Sequence, residues 1–260
     1  MVNITFSLAN FEYFLLILVR IASFSYVAPV FGNTAVPARM KIGLSFFVAV
    51  LLYNVVPHST LDYESVIGYA VLVVKETITG LLIGFAANIC SSIIMFAGNI
   101  IDMDIGLSMA TEFNPDMNME ITISGDFYYY IVMLLLIISD MHTYVLRAAC
   151  DSFYLIPIGG AVFEWDNLLG TMTKYMTDLC VIGFRIFLPV FACIMILNCI
   201  LGIMAKVAPQ MNMFAIGVQL KVLVGMTVIF LTIFLIPNIA NFIFEEIKTM
   251  VGMVIESMHE

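Results

Sequence analysis

Three histidines, one acid deep within an apolar run and two closely spaced titratable pairs make up this chain's stock for acid–base or metal chemistry. His58, His142 and His259 fall in three separate places. A hydrolytic metal centre wants ligands on one helix face, as in H-E-x-x-H, and a nucleotide site wants a glycine-rich phosphate loop; the chain has neither, nor a G-x-S-x-G elbow. Asp140-x-His142 and Asp102-x-Asp104 place titratable groups two residues apart, but each lies where an apolar run meets a connection, and ordinary solvated end residues account for both. Cys90, Cys150, Cys180, Cys193 and Cys199 are scattered through apolar stretches with no C-x-x-C, which reads as small buried hydrophobes rather than a disulfide framework or zinc site. The chain is therefore expected to be no enzyme, with no catalytic residue, cofactor or metal.

The informative residues are charges placed where a membrane helix does not want them. Arg20 sits in the middle of the first apolar run, Lys75 and Glu76 interrupt the third, Arg185 the fifth and Lys221 the sixth. An Arg or Lys at a helix centre costs about 2.5–3.5 kcal/mol on insertion scales, and each Leu, Ile, Phe or Val returns about 0.3–0.6. The first run therefore offsets Arg20 with roughly a kcal/mol or two to spare, and such helices want protein neighbours. Lys75 and Glu76 are adjacent in sequence, so Glu76 is expected to face a neighbouring helix rather than Lys75. Snorkelling is the ordinary alternative for each cation, Lys221 above all. Arg20, Arg39, Lys75, Glu76 and Arg185 are the candidates for polar contacts between segments.

Composition says what must hold these residues. Of the 260 residues 62% are hydrophobic and 11% charged, with a mean hydropathy of +1.07, against about a quarter charged in soluble domains. Ten Lys and Arg with nineteen Asp and Glu cannot cover a soluble domain's surface. A net charge of −9, with no basic run, argues against nucleic acid as a partner. The N-terminus MVNITFSLANFEYF has no basic region before its first apolar run and no small-x-small cleavage site, so the first segment is expected to stay in the mature protein.

Apolar stretches at about 12–31, 42–57, 66–101, 127–157, 179–204 and 213–237 predict about six long helical segments of an all-α, membrane-type fold. Gly80-x-x-x-Gly84, continuing into Ala87 and Ser91, offers a small-residue stripe for close helix approach. Three connections stand out. GNTAVPARMKIG holds Arg39 and Lys41; the acidic stretch from Asp102 to Asp126 contains MATEFNPDMNME; and Lys206 to Asn212 forms a turn. In that turn Pro209 forbids simple helix continuation, and Asn212 is a fair N-cap for a helix starting at Met213. Arg39, Lys41 and Lys206 on one side roughly balance Lys174 and Lys248 on the other, so the positive-inside rule does not orient the chain. Methionine is abundant, nineteen in all. Its default role is filling core gaps; in the connections, sealing against variable partners is an equal alternative.

Four motifs in order, RIASFSYVAPVFGNTAVPARMKIGLS from Arg20, GLSMATEFNPDMN from Gly106, SFYLIPIGG from Ser152 and LGIMAKVAPQMNMFAIGVQLKVLVG from Leu201, make the chain resemble the FliR family of flagellar export proteins over nearly its whole length. The resemblance implies a non-enzymatic subunit of the type III export gate in the bacterial inner membrane, at the flagellar basal body. There it would assemble with FliP and FliQ, contact FlhB and FlhA, meet membrane lipid and pass unfolded export substrates. It implies a FliP-like part over 1–160, with a channel plug loop at about 102–126, a polar connection at 161–178 and a FliQ-like hairpin and tail over 179–260. By position and type the plug residues would be Gly106, Leu107, Met109, Phe113, Asn114, Pro115, Met117 and Asn118, in a loop more acidic than the family pattern. The hairpin turn, with Lys206, Pro209, Gln210, Asn212, Phe214 and Lys221, would sit at the channel entrance. An injectisome subunit shares this plan and is the first alternative; a small-molecule or ion transporter is the second, and would make Glu76 a titrating site.

Overall fold

The computed structural model describes residues 8–33, 35–56, 63, 65–107, 113–114, 119–120, 122–208, 210 and 213–258. The fold is all-α. Among the described residues the helices are α1 (Leu8–Val27), α2 (Ala38–Tyr53), α3 (Val66–Ala87), α4 (Ile89–Ile105), α5 (Ile123–Ile138), α6 (Met141–Leu155), α7 (Trp165–Val207), α8 (Met213–Thr232) and α9 (Ile236–Glu256). Between α4 and α5, strands β1 (Phe113–Asn114) and β2 (Met119–Glu120) pair antiparallel, with Phe113 opposite Glu120.

The expected six long apolar segments need correcting. Four helices, or five if the broken pair α5/α6 is one span, are long and apolar enough to cross a membrane among the described residues. The third run is two helices because Asn88 closes α3 with its N–H on the Gly84 and Phe85 carbonyls, and α4 starts at once. The fourth run breaks at Asp140, whose φ of 57° is left-handed, a conformation Asp tolerates better than most residues. In the other direction, the polar stretch 161–178 is helical from Trp165, which makes α7 43 residues long.

Two compact units share these helices: Met1–Ile89, Ser139–Tyr175 and Phe244–Glu260 form the first, and Cys90–Ile138 and Met176–Ile243 the second. In the first unit α1 packs against α2 and α3, around a core that includes Tyr13, Leu16, Ile17, Ile21, Leu52 and Phe153. The small-residue stripe sets the α1/α3 spacing. A Cβ at Gly80 would overlap the Ser23 hydroxyl and the Arg20 carbonyl, and one at Gly84 would lie 2.9 Å from the Phe24 carbonyl oxygen. In the second unit Gly98 and Gly125 face each other in the same way, bringing α4 against the start of α5.

Candidate functional site

The α1–α2 turn carries the first motif. Val30 adopts φ 68°, the Gly32 N–H donates to the Ala28 carbonyl at 2.7 Å, and a Cβ on Gly32 would lie 2.5 Å from the Tyr26 carbonyl oxygen. The Lys41 ammonium donates to the Gly32 carbonyl at 2.8 Å and stands 5.4 Å from the centre of the Tyr26 ring. Glycine and lysine in FGNTAVPARMK thus lock this turn, while Arg39 is left exposed.

Deep in the first unit the structure brings Arg20 of α1 and Glu76 of α3 together. Arg20 Nε donates to Glu76 Oε2 at 2.5 Å and Nη2 to Oε1 at 3.1 Å, with both side chains essentially inaccessible. Arg20 Nη1 donates to the carbonyls of Ile156 at 3.0 Å and Ser152 at 3.5 Å. Ile156 follows the last residue of α6, and the Ser152 carbonyl also accepts the Ile156 N–H at 2.8 Å, so the guanidinium joins the hydrogen bonding that closes the helix. The Phe153 ring lies 4.2 Å from the guanidinium carbon, and the Gly159 N–H donates to Glu76 Oε1 at 2.8 Å. Gly159 has φ 79°, which glycine adopts freely. The SFYLIPIGG motif is therefore the third side of the pair: Ser152 and Ile156 offer carbonyls, Phe153 a π face, and Gly159 an amide. A bidentate, fully hydrogen-bonded pair is the arrangement in which two charges tolerate an apolar interior. Lys75, half-buried beside Glu76, makes no ion pair with any described residue.

At the base of the middle connection, Gly106 ends α4 with φ 90° and donates its N–H to the Asp102 carbonyl at 3.0 Å. The buried Asp102 carboxylate accepts the Ser124 N–H at 3.2–3.3 Å, so a residue of α4 caps the first turn of α5 and ties the two ends of the connection together. Burial raises the Asp102 carboxyl above the ordinary aspartate range, with the Ser124 hydrogen bonds pulling the other way. Burial also raises Asp104, opposed by the charge of Lys221 on α8. Of the expected plug residues, Gly106 and Leu107 are partly exposed at the end of α4, and Phe113 and Asn114 form β1. Met109, Pro115, Met117 and Asn118 lie outside the described residues.

At the expected entrance turn Lys206 and Gln210 are exposed and α8 begins at Met213. Pro209 and Asn212, and the side chain of Phe214, lie outside the described residues. Arg185, on the apolar part of α7, is exposed and stacks 5.4 Å from the Phe242 ring of α9. Among the described residues no group of three or more His, Cys, Asp or Glu could hold a metal ion. His142 and Asp140 sit at the α5–α6 turn, where Asp140 is exposed.

Two findings connect this arrangement to known proteins. The family described as Bacterial export proteins, family 1, matches residues 11–247. Curated relatives named flagellar biosynthetic protein FliR include one from Bacillus subtilis, 28% identical over 94% of this chain and 96% of its own length. Another, from Buchnera aphidicola, is 28% identical over 87% of this chain and 86% of its own, and one from Escherichia coli is 25% identical over 93% and 92%.

Proposed function

The chain belongs to the bacterial export proteins of family 1, the FliR family, and from that premise we propose that it is a non-enzymatic subunit of the flagellar type III export gate. In this reading it forms, with FliP and FliQ, the inner-membrane channel through which unfolded flagellar proteins leave, and it contacts FlhB and FlhA. The chain is a membrane-type component of a flagellar protein-export apparatus.

One observation carries the finer reading. Helix α7, at 43 residues, has a contour length of about 64 Å, and Ile216–Glu256 nearly matches it, against a hydrocarbon core of about 30 Å. Along α7 the apolar side chains Val181, Phe184, Leu188, Phe191 and Met195 are exposed at alternating spacings of three and four residues, the period of a helix face that packs on other helices. Helical stretches longer than the bilayer is thick, with exposed apolar faces, suit neighbouring subunits as well as lipid. The FliP-like part over 1–160, the connection over 161–178 and the FliQ-like hairpin over 179–260 follow as the division by which one chain closes a helical ring. The tied connection at Asp102–Asp126 is then the plug.

Glu76 weighs against a transporter. Its carboxylate takes two Arg20 donors and the Gly159 amide, so it is not vacant for an ion to bind. The names of the curated relatives favour the flagellar over the injectisome reading. The test is isolation of the tagged chain from membranes: co-purification with FliP and FliQ in unequal stoichiometry is expected, and a functional chain without them would sink the proposal.

A further inference from the structure

The second unit holds a partly open cavity of about 250 Å³ where two helical irregularities meet. Pro189 interrupts α7 and removes the N–H that would bond the Arg185 carbonyl. Between α8 and α9 the chain tightens to a 3-10 turn at Ile233–Leu235, with Pro237 in the first turn of α9. Neighbouring backbones therefore leave space that side chains of α4, α5, α7 and α9, among them Ile94, Val132 and Ile239, line with hydrocarbon. The polar lining is sparse: Arg185, Asn238, and the Tyr128 hydroxyl held 3.2 Å from that of Thr232.

Arg185 decides what such a cavity takes. Its guanidinium presents one face to Phe242, and no carboxylate among the described residues is within ion-pairing distance. The in-plane N–H donors, which match a phosphate's geometry, stay free. Arg185 is seven residues beyond Asp178 in the sequence, about 10 Å along the helix from the last acid before the apolar run. A cation at the mouth of a hydrocarbon cavity smaller than the roughly 300–1,000 Å³ that holds a whole drug-sized ligand fits one end of an amphiphile.

We propose that this cavity is a specific site for an anionic phospholipid, with the headgroup phosphate on Arg185 and part of one acyl chain inserted between α4, α5, α7 and α9. The lipid satisfies a guanidinium that the described residues leave unpaired and fills the space opened by Pro189.

The experiment uses the export apparatus purified through this chain, stripped of lipid and titrated with phosphatidylglycerol or phosphatidylcholine under native mass spectrometry. Phosphatidylglycerol, whose phosphate charge no choline neutralises, is expected to bind about tenfold more tightly than phosphatidylcholine. Arg185→Gln removes that preference and Arg185→Lys keeps most of it. Ile239→Phe, which fills the cavity, weakens both lipids and leaves their ratio unchanged. Equal binding of the two lipids to the wild type, or an unchanged preference in Arg185→Gln, overturns the proposal. Displacement of the lipid by inorganic phosphate at comparable concentration makes the site one for the anion alone and also overturns it. If Arg185→Gln dissociates the apparatus while Arg185→Lys does not, a partner subunit's carboxylate holds the guanidinium and the lipid site falls.

Discussion

Replacing Glu76 by Gln tests the buried pair directly. The substitution preserves shape but leaves one carbonyl oxygen where Arg20 Nε and Nη2 and the Gly159 N–H now find two carboxylate oxygens, and it turns an amide NH₂ toward those donors. The guanidinium stays in place, held by the Ser152 and Ile156 carbonyls and the Phe153 ring, with about 1% of its surface exposed. Removing one partner from a buried pair costs about 3–5 kcal/mol because an uncompensated charge remains. For a chain of this size that corresponds to a fall of roughly 6–20 °C in melting midpoint, measurable by circular dichroism of the full chain in detergent. The double variant Arg20→Met with Glu76→Met removes both charges. It still removes the guanidinium N–H that the Ile156 and Ser152 carbonyls accept, so it is expected to stay below the wild type yet above Glu76→Gln, with a coupling of at least about 2 kcal/mol. A Glu76→Gln midpoint within about 2 °C of the wild type, or a double variant less stable than that single one, would refute the reasoning.

Gly80→Ala places a Cβ against the Ser23 hydroxyl and the Arg20 carbonyl, so it should cost about 1–3 kcal/mol in the same melt, whereas Gly43→Ala, with open space around it, should cost nothing measurable. Gly159→Ala forces φ 79° on alanine and brings a Cβ 2.8 Å from Leu72 Cδ2; a loss of about 1–2 kcal/mol is expected. Asp102 has a raised carboxyl pKa in the folded chain, so the folded state holds that proton more readily than the unfolded one. Its contribution is full below the unfolded value of about 3.9 and is lost as pH rises through the folded value. Asp102→Asn should flatten this part of the stability–pH curve, and an unchanged curve would show that another group sets it. Shortening residues 109–117 should raise ion leakage through the assembled gate, measured as dye or proton flux; unchanged leakage would remove the plug role from this connection.

The sequence made legible whatever depends on neighbours within one or two turns. The membrane-type helices, the small-residue stripe at Gly80 and Gly84, and a helix start at Met213 all follow from local pattern. That Glu76 should face another helix was also readable, because Lys75 cannot share its face. Its partner was not, since Arg20 is 56 residues away and only tertiary packing unites them. The carbonyls of Ser152 and Ile156 carry no sequence signal at all, being backbone groups that any residue supplies. The breaks at Asn88 and Asp140 were present as ordinary capping residues but were outweighed by continuous hydrophobicity. The start of α7 was hidden in the opposite sense: Leu168, Thr171, Met172 and Tyr175 are its less exposed positions, a helical period masked by Asp166 and Asn167 before them and by Thr173 and Lys174 among them.

In the proposed function, exported chains pass through a conduit this protein helps to line. A photoreactive residue introduced at Leu107 or Phe113, in cells where an export substrate is stalled by a folded C-terminal fusion, measures this directly. The account predicts covalent adducts between this chain and the stalled substrate at one or both positions, and none from Val66, which is 86% exposed at the start of α3. Stalled substrate that forms no adduct at either position, in cells whose photoreactive variants still assemble flagella, would contradict it.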